Sequence, residues 1–373
     1  MPTEAIREAR RQIEICNACR YCEGYCSVFP AIIRERAFAG GDVTQLANLC
    51  HNCRGCYYAC QYTEPHEFAL NLPKALAEVR QESWQKHAFP SWFAKAFHQS
   101  GVAIAVATIV GIALMFWAIG MMGGNAGGRG FYAILSHNVL IAIFTPAFLL
   151  PAFSILISLR RYWRATGGGS VRLSDVTPAF KSAAGMKNLS GGHGDGCNFE
   201  DEDRFSNVRR WQHQAVMYGF LLCFASTCAG TVMHYVFDLQ APYGLVSIPK
   251  LLGIPGGILL SVGTLAMAAL KLKADHDLAD RRVWGGEMGF IVLLFFVSTS
   301  GLALYALRGS EFLTELMALH LGSILTLFLL TPYSKMAHGF YRLAALVKDA
   351  RNQRPPTAMS PIQDIRSPTE FRT

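Results

Sequence analysis

Cys16-Asn17-Ala18-Cys19-Arg20-Tyr21-Cys22-Glu23-Gly24-Tyr25-Cys26 and Cys50-His51-Asn52-Cys53-Arg54-Gly55-Cys56-Tyr57-Tyr58-Ala59-Cys60 repeat one spacing, C-x2-C-x2-C-x3-C. Eight of the eleven cysteines fall in these two runs. The spacing wraps three thiolates around one corner of a four-iron cube and sends the fourth to a second cube. It therefore predicts two [4Fe-4S] clusters, one on Cys16, Cys19, Cys22 and Cys60, the other on Cys50, Cys53, Cys56 and Cys26. Structural zinc usually takes two C-x2-C pairs and would leave the third and fourth cysteines of each run unexplained. Disulfides fit poorly, because the topology argued below keeps this segment in a reducing compartment.

Between the runs, residues 32–38 and 43–49 have helical rather than alternating periodicity, broken by Gly40-Gly41 with Asp42 as a possible cap. Neither run is followed at once by proline; Pro30 and Pro65 stand further on. An all-helical ferredoxin domain is expected rather than the small sheet-based kind. His51 reads as a solvated surface residue, with a hydrogen bond that tunes the neighbouring cluster as the alternative.

The rest of the chain is different in kind. Of 373 residues, 51% are hydrophobic and only 16% charged, too apolar for a soluble domain of this length. Six apolar stretches are long enough to cross about 30 Å of hydrocarbon. They predict spans at 101–122, 134–159, 212–237, 249–270, 287–307 and 313–338. The polar, cysteine-rich first hundred residues do not resemble a signal peptide. Basic residues crowd the loops after the second span (Arg160, Arg161, Arg164 and onward to Arg209 and Arg210) and after the fourth (Lys271, Lys273, Arg281, Arg282). Loops after spans one and five carry only Arg129 and Arg308. The positive-inside rule then puts both termini in the cytoplasm of a cell's inner membrane. Topology and anionic lipid account for the formal charge of +8, so no nucleic-acid partner is expected.

Four histidines near the ends of predicted spans are candidate axial ligands of b-type haem: His213 and His234 on the third, His320 and His338 on the sixth. At ~1.5 Å per residue their separations are roughly 31 and 27 Å, about one bilayer. Because the two helices run in opposite directions, His213 is expected to meet His338 on the inner side and His234 to meet His320 on the outer side, for one or two haems. His137 competes for the outer site. Cys223 and Cys228 read as packing residues.

The expected class is all-α. A two-cluster ferredoxin domain (1–75) leads through an interfacial connector (76–100) to a six-span cytochrome-b-like bundle (101–340). A cytoplasmic loop (160–210) and a tail (341–373) complete the plan. The loop contains Gly191-Gly192-His193-Gly194-Asp195-Gly196-Cys197-Asn198, which suits a partner, a metal, a quinone head-group or merely a turn-rich connector; no Gly-Lys-Ser/Thr follows, so it is not a phosphate loop.

That glycine-rich segment, the two cysteine runs, Glu202-Asp203-Arg204-Phe205-Ser206 and the six-span plan resemble the tricarballylate (citrate) utilization protein B family. The resemblance implies a membrane iron-sulfur and haem protein that reoxidises a cytoplasmic flavoprotein, tricarballylate dehydrogenase, and delivers electrons to quinone. It implies no bond-making on the organic acid by this chain. The membrane part also resembles the dihaem cytochrome b subunit of respiratory nitrate reductase, in which a late helix supplies one axial histidine to each haem; His320 and His338 match that arrangement. Service to a different dehydrogenase or disulfide reductase is an alternative. A tricarboxylate transporter with a redox-sensing amino terminus is another, against which the spans lack membrane-depth basic residues.

Overall fold

The computed structural model describes residues 2–35, 37–122, 135–199 and 204–354. The described residues are helical and contain no strand; Cys197 and Ser206 form an isolated antiparallel bridge.

Helix α1 (Glu4–Cys19) begins where Thr3 accepts a hydrogen bond from the Ile6 N–H, and buries Ala5, Ala9 and Ile13, one face at four-residue spacing. It stops at Arg20, whose φ of 56° turns the chain away. Helices α2 (Phe29–Arg34), α3 (Gly40–Leu49) and α4 (Gly55–Tyr58) follow. Asp42 starts α3 by accepting from the Ala39 N–H at 2.9 Å. Asn71 caps α5 (Leu72–His87), with Pro73 in its first turn. The expected connector is split: α5 buries Leu76, Val79 and Trp84 in the same core as α1 and α3, and only from Ser91 does the chain run toward the membrane. Apolar residues at three- and four-residue intervals gave α5 a buried face, which an interfacial helix would have turned to lipid.

Six helices among the described residues are long and apolar enough to span a membrane. They lie in α6 (Ser91–Met122), α7 (His137–Ala165), α9 (Val208–Phe237), α10 (Ile248–Lys273), α11 (Trp284–Ala306) and α12 (Leu313–Leu330). Between α7 and α9 runs α8 (Leu173–Gly185), and α13 (Ala337–Asn352) closes the described chain. The predicted start of the second span at residue 134 and the acidic run 200–203 lie outside the described residues. The third span starts earlier than expected, at Val208, which sets His213 further from the start of the helix. The sixth ends earlier, at Leu330, and His338 belongs to α13. Pro332 has no N–H to continue the ladder, and the chain makes a turn before it restarts as a helix.

Outward side chains such as Leu114, Leu150, Phe153 and Val236 are exposed, as lipid-facing residues are. Small residues bring helices together: a Cβ on Gly219 of α9 would stand 2.6 Å from the Leu260 nitrogen of α10, and one on Gly101 of α6 2.5 Å from the Gly286 Cα of α11. Gly101→Val is expected to lower the thermal midpoint of the detergent-solubilised protein by several degrees, since overpacking costs about 1–3 kcal/mol. Gly111→Ala, where a Cβ meets nothing within 4 Å, serves as the control and is expected to leave the midpoint unchanged.

Candidate redox site

The two cysteine runs interleave. Cys16 and Cys19 end α1, and Cys22 follows the Arg20 turn; Cys50 caps α3, and positive φ values at Asn52 and Arg54 bend the second run back on itself. Burial, then Cys22, Cys60, Cys26 and Cys19, push the Cys16 thiol up to about 12. Burial, then Cys26 and Cys60, push Cys22 to about 11. Cys60 of the second run thus stands with the first. Conversely, Cys56 donates a hydrogen bond to Cys26, which lowers the Cys26 pKa and raises that of Cys56; burial and the nearby Cys26, Cys53 and Cys50 raise Cys56 further. Thiols this close oppose one another's ionisation, and a cationic core is what would let them all become thiolates. Among the described residues no three His, Cys, Asp or Glu side chains converge on a single-ion position. Eight thiols in two interleaved groups are a donor set of the kind that iron-sulfur cores take. The Asn52 and Tyr62 N–H groups each point at a sulfur, Cys50 and Cys60, at 3.4 Å, the kind of contact that stabilises a thiolate.

A ninth cysteine joins the second group. Cys197 is buried, donates to the Leu189 carbonyl at 3.1 Å, and is held at about 7 by a hydrogen bond from Cys53, with Arg209 assisting against the effect of burial. The glycine-rich segment brings it there. Gly192 N–H donates to the Tyr25 carbonyl at 3.2 Å, Asn198 N–H to the Cys53 carbonyl at 2.8 Å, and Gly196 (φ 111°) makes the turn between them. A Cβ at Gly192 would sit 1.7 Å from the Gly24 oxygen, so the segment is glycine-rich because it lies on the first run. Its cysteine carries no spacing signal, so sequence reasoning did not group it with the other eight.

The rings of His213 and His338 have centroids 5.8 Å apart at 78°. Both line a cavity of about 940 Å³ whose wall also includes His51, Asn52 and Arg54 from the second cysteine run. His51 is therefore not a solvated surface residue: its Nδ1 bonds the Leu49 carbonyl at 2.8 Å, and burial and Arg342 depress its pKa. Burial, then His213, Arg342 and Lys335, lowers the pKa of His338, and its Nδ1 bonds the Lys335 carbonyl. Nε2 of a neutral imidazole is a metal-ligating nitrogen, and a backbone bond at Nδ1 fixes that tautomer. At the end of the helices far from the cysteine runs His234 meets His137, centroids 4.4 Å apart, and His137 Nε2 shares a 2.9 Å hydrogen bond with the Tyr235 hydroxyl. No hydrogen bond or ring contact joins His320 to His234 among the described residues; Nδ1 of His320 pairs with the Ser300 hydroxyl at 3.1 Å.

Beside the His213–His338 pair the cavity becomes cationic, with seven Lys and Arg side chains and three carboxylates in its wall. Arg80 and Arg342 both donate to the Cys50 carbonyl, at 2.7 and 3.0 Å, and Arg209 to that of Asn52 at 2.8 Å. Arg54 and Arg209 stack on Phe199, 4.4 and 3.9 Å from its centroid. Glu287 takes Lys271 at 2.5 Å and also Lys335. Below, Phe148, Ile155, Phe220, Leu294 and Phe328 give the cavity an apolar wall.

The family model for citrate utilization protein B matches residues 96–359, and that for the family's Fer4-like amino-terminal domain matches residues 9–86. The chain belongs to the citrate utilization protein B family. It is 42% identical over 356 residues to a curated member, citrate utilization protein B of Escherichia coli, covering 94% of each chain. No solved structure matches it. The Fer4-like domain coincides with the two cysteine runs and with α1 to α5, and the larger family domain with all six apolar helices.

Cys26→Ser and Cys60→Ser are each expected to cut non-haem iron and acid-labile sulfide from about eight to about four per chain. Cys197→Ser is expected to keep about eight; a comparable loss in that variant would make Cys197 a ligand.

Proposed function

We propose that this membrane protein takes electrons from the reduced flavin of a cytoplasmic dehydrogenase, through two [4Fe-4S] clusters and b-type haem, and passes them to quinone. The E. coli relative is named for citrate utilization. On this reading the acid that feeds the chain is citrate-like, tricarballylate by family resemblance, and the partner dehydrogenase chooses it. Two electrons and two protons leave each reduced flavin; one quinone gains two electrons, takes up two protons and becomes quinol. When bound, the clusters and haem supply the one-electron chemistry that lets a two-electron donor be oxidised in single steps.

The chain's residues have definite parts in this scheme. Cys16, Cys19, Cys22 and Cys60 would hold one cluster, and Cys50, Cys53, Cys56 and Cys26 the other. His213 and His338 would ligate an inner haem. A second haem at the outer end would take His234 with His320, or with His137, whose ring it already meets at 4.4 Å. The observation that carries the haem reading is the half-buried His213–His338 pair in the wall of a cavity that also reaches His51 and Asn52 beside Cys50. Its apolar lower wall would keep water from the nitrogens proposed as ligands. Its 940 Å³ is within the usual size of a cofactor pocket. On this reading a soluble flavoprotein would dock on the face where Cys19 is exposed. The basic residues at the ferredoxin end of the helices, Arg160, Arg161, Lys273 and Arg281 among them, support a cytoplasmic orientation of that end and contact with anionic lipid.

The dithionite-reduced minus air-oxidised optical spectrum of the purified protein is expected to show a b-type haem band beside cluster bleaching. His338→Met and His213→Met are expected to lose the inner haem and retain the iron-sulfur signal. Clusters without any haem band would sink the haem assignment. In membrane vesicles lacking the protein, flavoprotein-linked quinone reduction is expected to stop; undiminished reduction would overturn the electron-transfer role.

A further inference from the structure

Arg209 precedes His213 by one helical turn on α9, and Arg342 follows His338 by one turn on α13. Residues four apart share a helix face, so each histidine of the inner pair has an arginine beside it on the side toward the cysteine runs. Both arginines line the cavity. Each spends one nitrogen on the second cysteine run, Nη1 of Arg209 on the Asn52 carbonyl and Nη2 of Arg342 on the Cys50 carbonyl. Nε of Arg209, and Nε and Nη1 of Arg342, are buried with no hydrogen-bond partner.

Each of the other cations of the wall has an ion pair or two backbone carbonyls. Lys271 and Lys335 share Glu287, and Arg281 pairs with Asp277. Arg80 donates to the Ala47 and Cys50 carbonyls, and Arg54 to those of Phe199 and Asp275. Of the three carboxylates, Glu287 is taken by its two lysines and Asp280 by Arg282. Asp275 accepts from the Asp277 N–H. Guanidinium side chains that line a cavity and keep buried N–H groups without an acceptor call for an anionic partner, and the planar fork suits a carboxylate.

We propose that Arg209 and Arg342 form a two-armed carboxylate clamp that receives the two propionates of haem. This rests on the haem reading above. It adds that the same two guanidinium groups tie the ligand's carboxylate edge to the backbone of Cys50 and Asn52. A quinone, which is neutral, would leave the clamp unfilled. A free tricarboxylate shares the carboxylate chemistry and is separated by the test.

The full chain, made without haem and solubilised in detergent, is titrated with haem, with haem dimethyl ester and with tricarballylate. Wild-type protein is expected to bind haem at least about tenfold tighter than the ester, as expected for charge-assisted hydrogen bonds lost on esterification. Arg209→Met with Arg342→Met is expected to bind the two porphyrins equally. Lysine at both positions is expected to restore part of the preference. Unchanged cluster iron in each variant shows that the fold persists. Equal binding of haem and ester by wild type overturns the clamp while the haem reading stands. Binding of neither porphyrin overturns the haem reading itself. Arginine-dependent binding of tricarballylate without porphyrin binding overturns the propionate assignment in favour of a free acid.

Discussion

Gln45 is buried in an apolar core, and both ends of its amide are engaged. Its nitrogen donates to the Ala345 carbonyl at 2.8 Å, and its oxygen accepts from the Tyr162 hydroxyl at 2.8 Å. One residue of α3 is thereby pinned to α7 and to α13. A buried amide left unmatched costs about 1–3 kcal/mol, so the three helices keep one register. Tyr162, Tyr341 and Trp84 close around the same core, with Trp84 Nε1 donating to Asn48 at 2.8 Å. The ferredoxin part is thus built into the membrane part. The second cysteine run and the His213–His338 pair become neighbours because α3 and α13 share this core.

Charge is the second constraint. Bringing several guanidinium and ammonium groups to one buried place is unfavourable unless each finds an acceptor. Backbone carbonyls of Cys50, Ala47 and Asn52, the face of Phe199 and the carboxylate of Glu287 supply most of them, and buried N–H groups of Arg209 and Arg342 stay unmatched. Two of those carbonyls belong to residues in or beside the cysteine run. The cationic field therefore acts on the second group of thiols as well as on the cavity. Positive charge near a thiolate-bound centre favours its reduced, more negative form.

Much of the plan is legible in sequence because it depends on short-range regularities. The C-x2-C-x2-C-x3-C spacing named its eight cysteines, and lengths near 20 apolar residues found the six membrane helices. Where the reading departed from the structure, a nonlocal contact was the reason. Residues 74–87 look like an interfacial helix in isolation and are core once α1 and α3 cover Trp84. His51 looks like a surface residue until the cavity wall closes beside it. Cys197 has no partner at a telling distance along the chain and meets Cys53 only because the glycine-rich segment folds back over 140 residues of sequence.

By itself, then, the sequence determined the all-helical class, the six spans and the thiol inventory, since periodicity, span length and ligand spacing are properties of neighbouring residues. The tertiary structure decided which histidines face one another and where the cations gather. Arg209 and His213, and His338 and Arg342, each stand four apart in the chain, a separation that means little until helix boundaries are known. Once Pro332 ends one helix and α13 starts another, both pairs turn toward a single cavity. That convergence is a matter of packing between helices far apart in sequence, which no local pattern records.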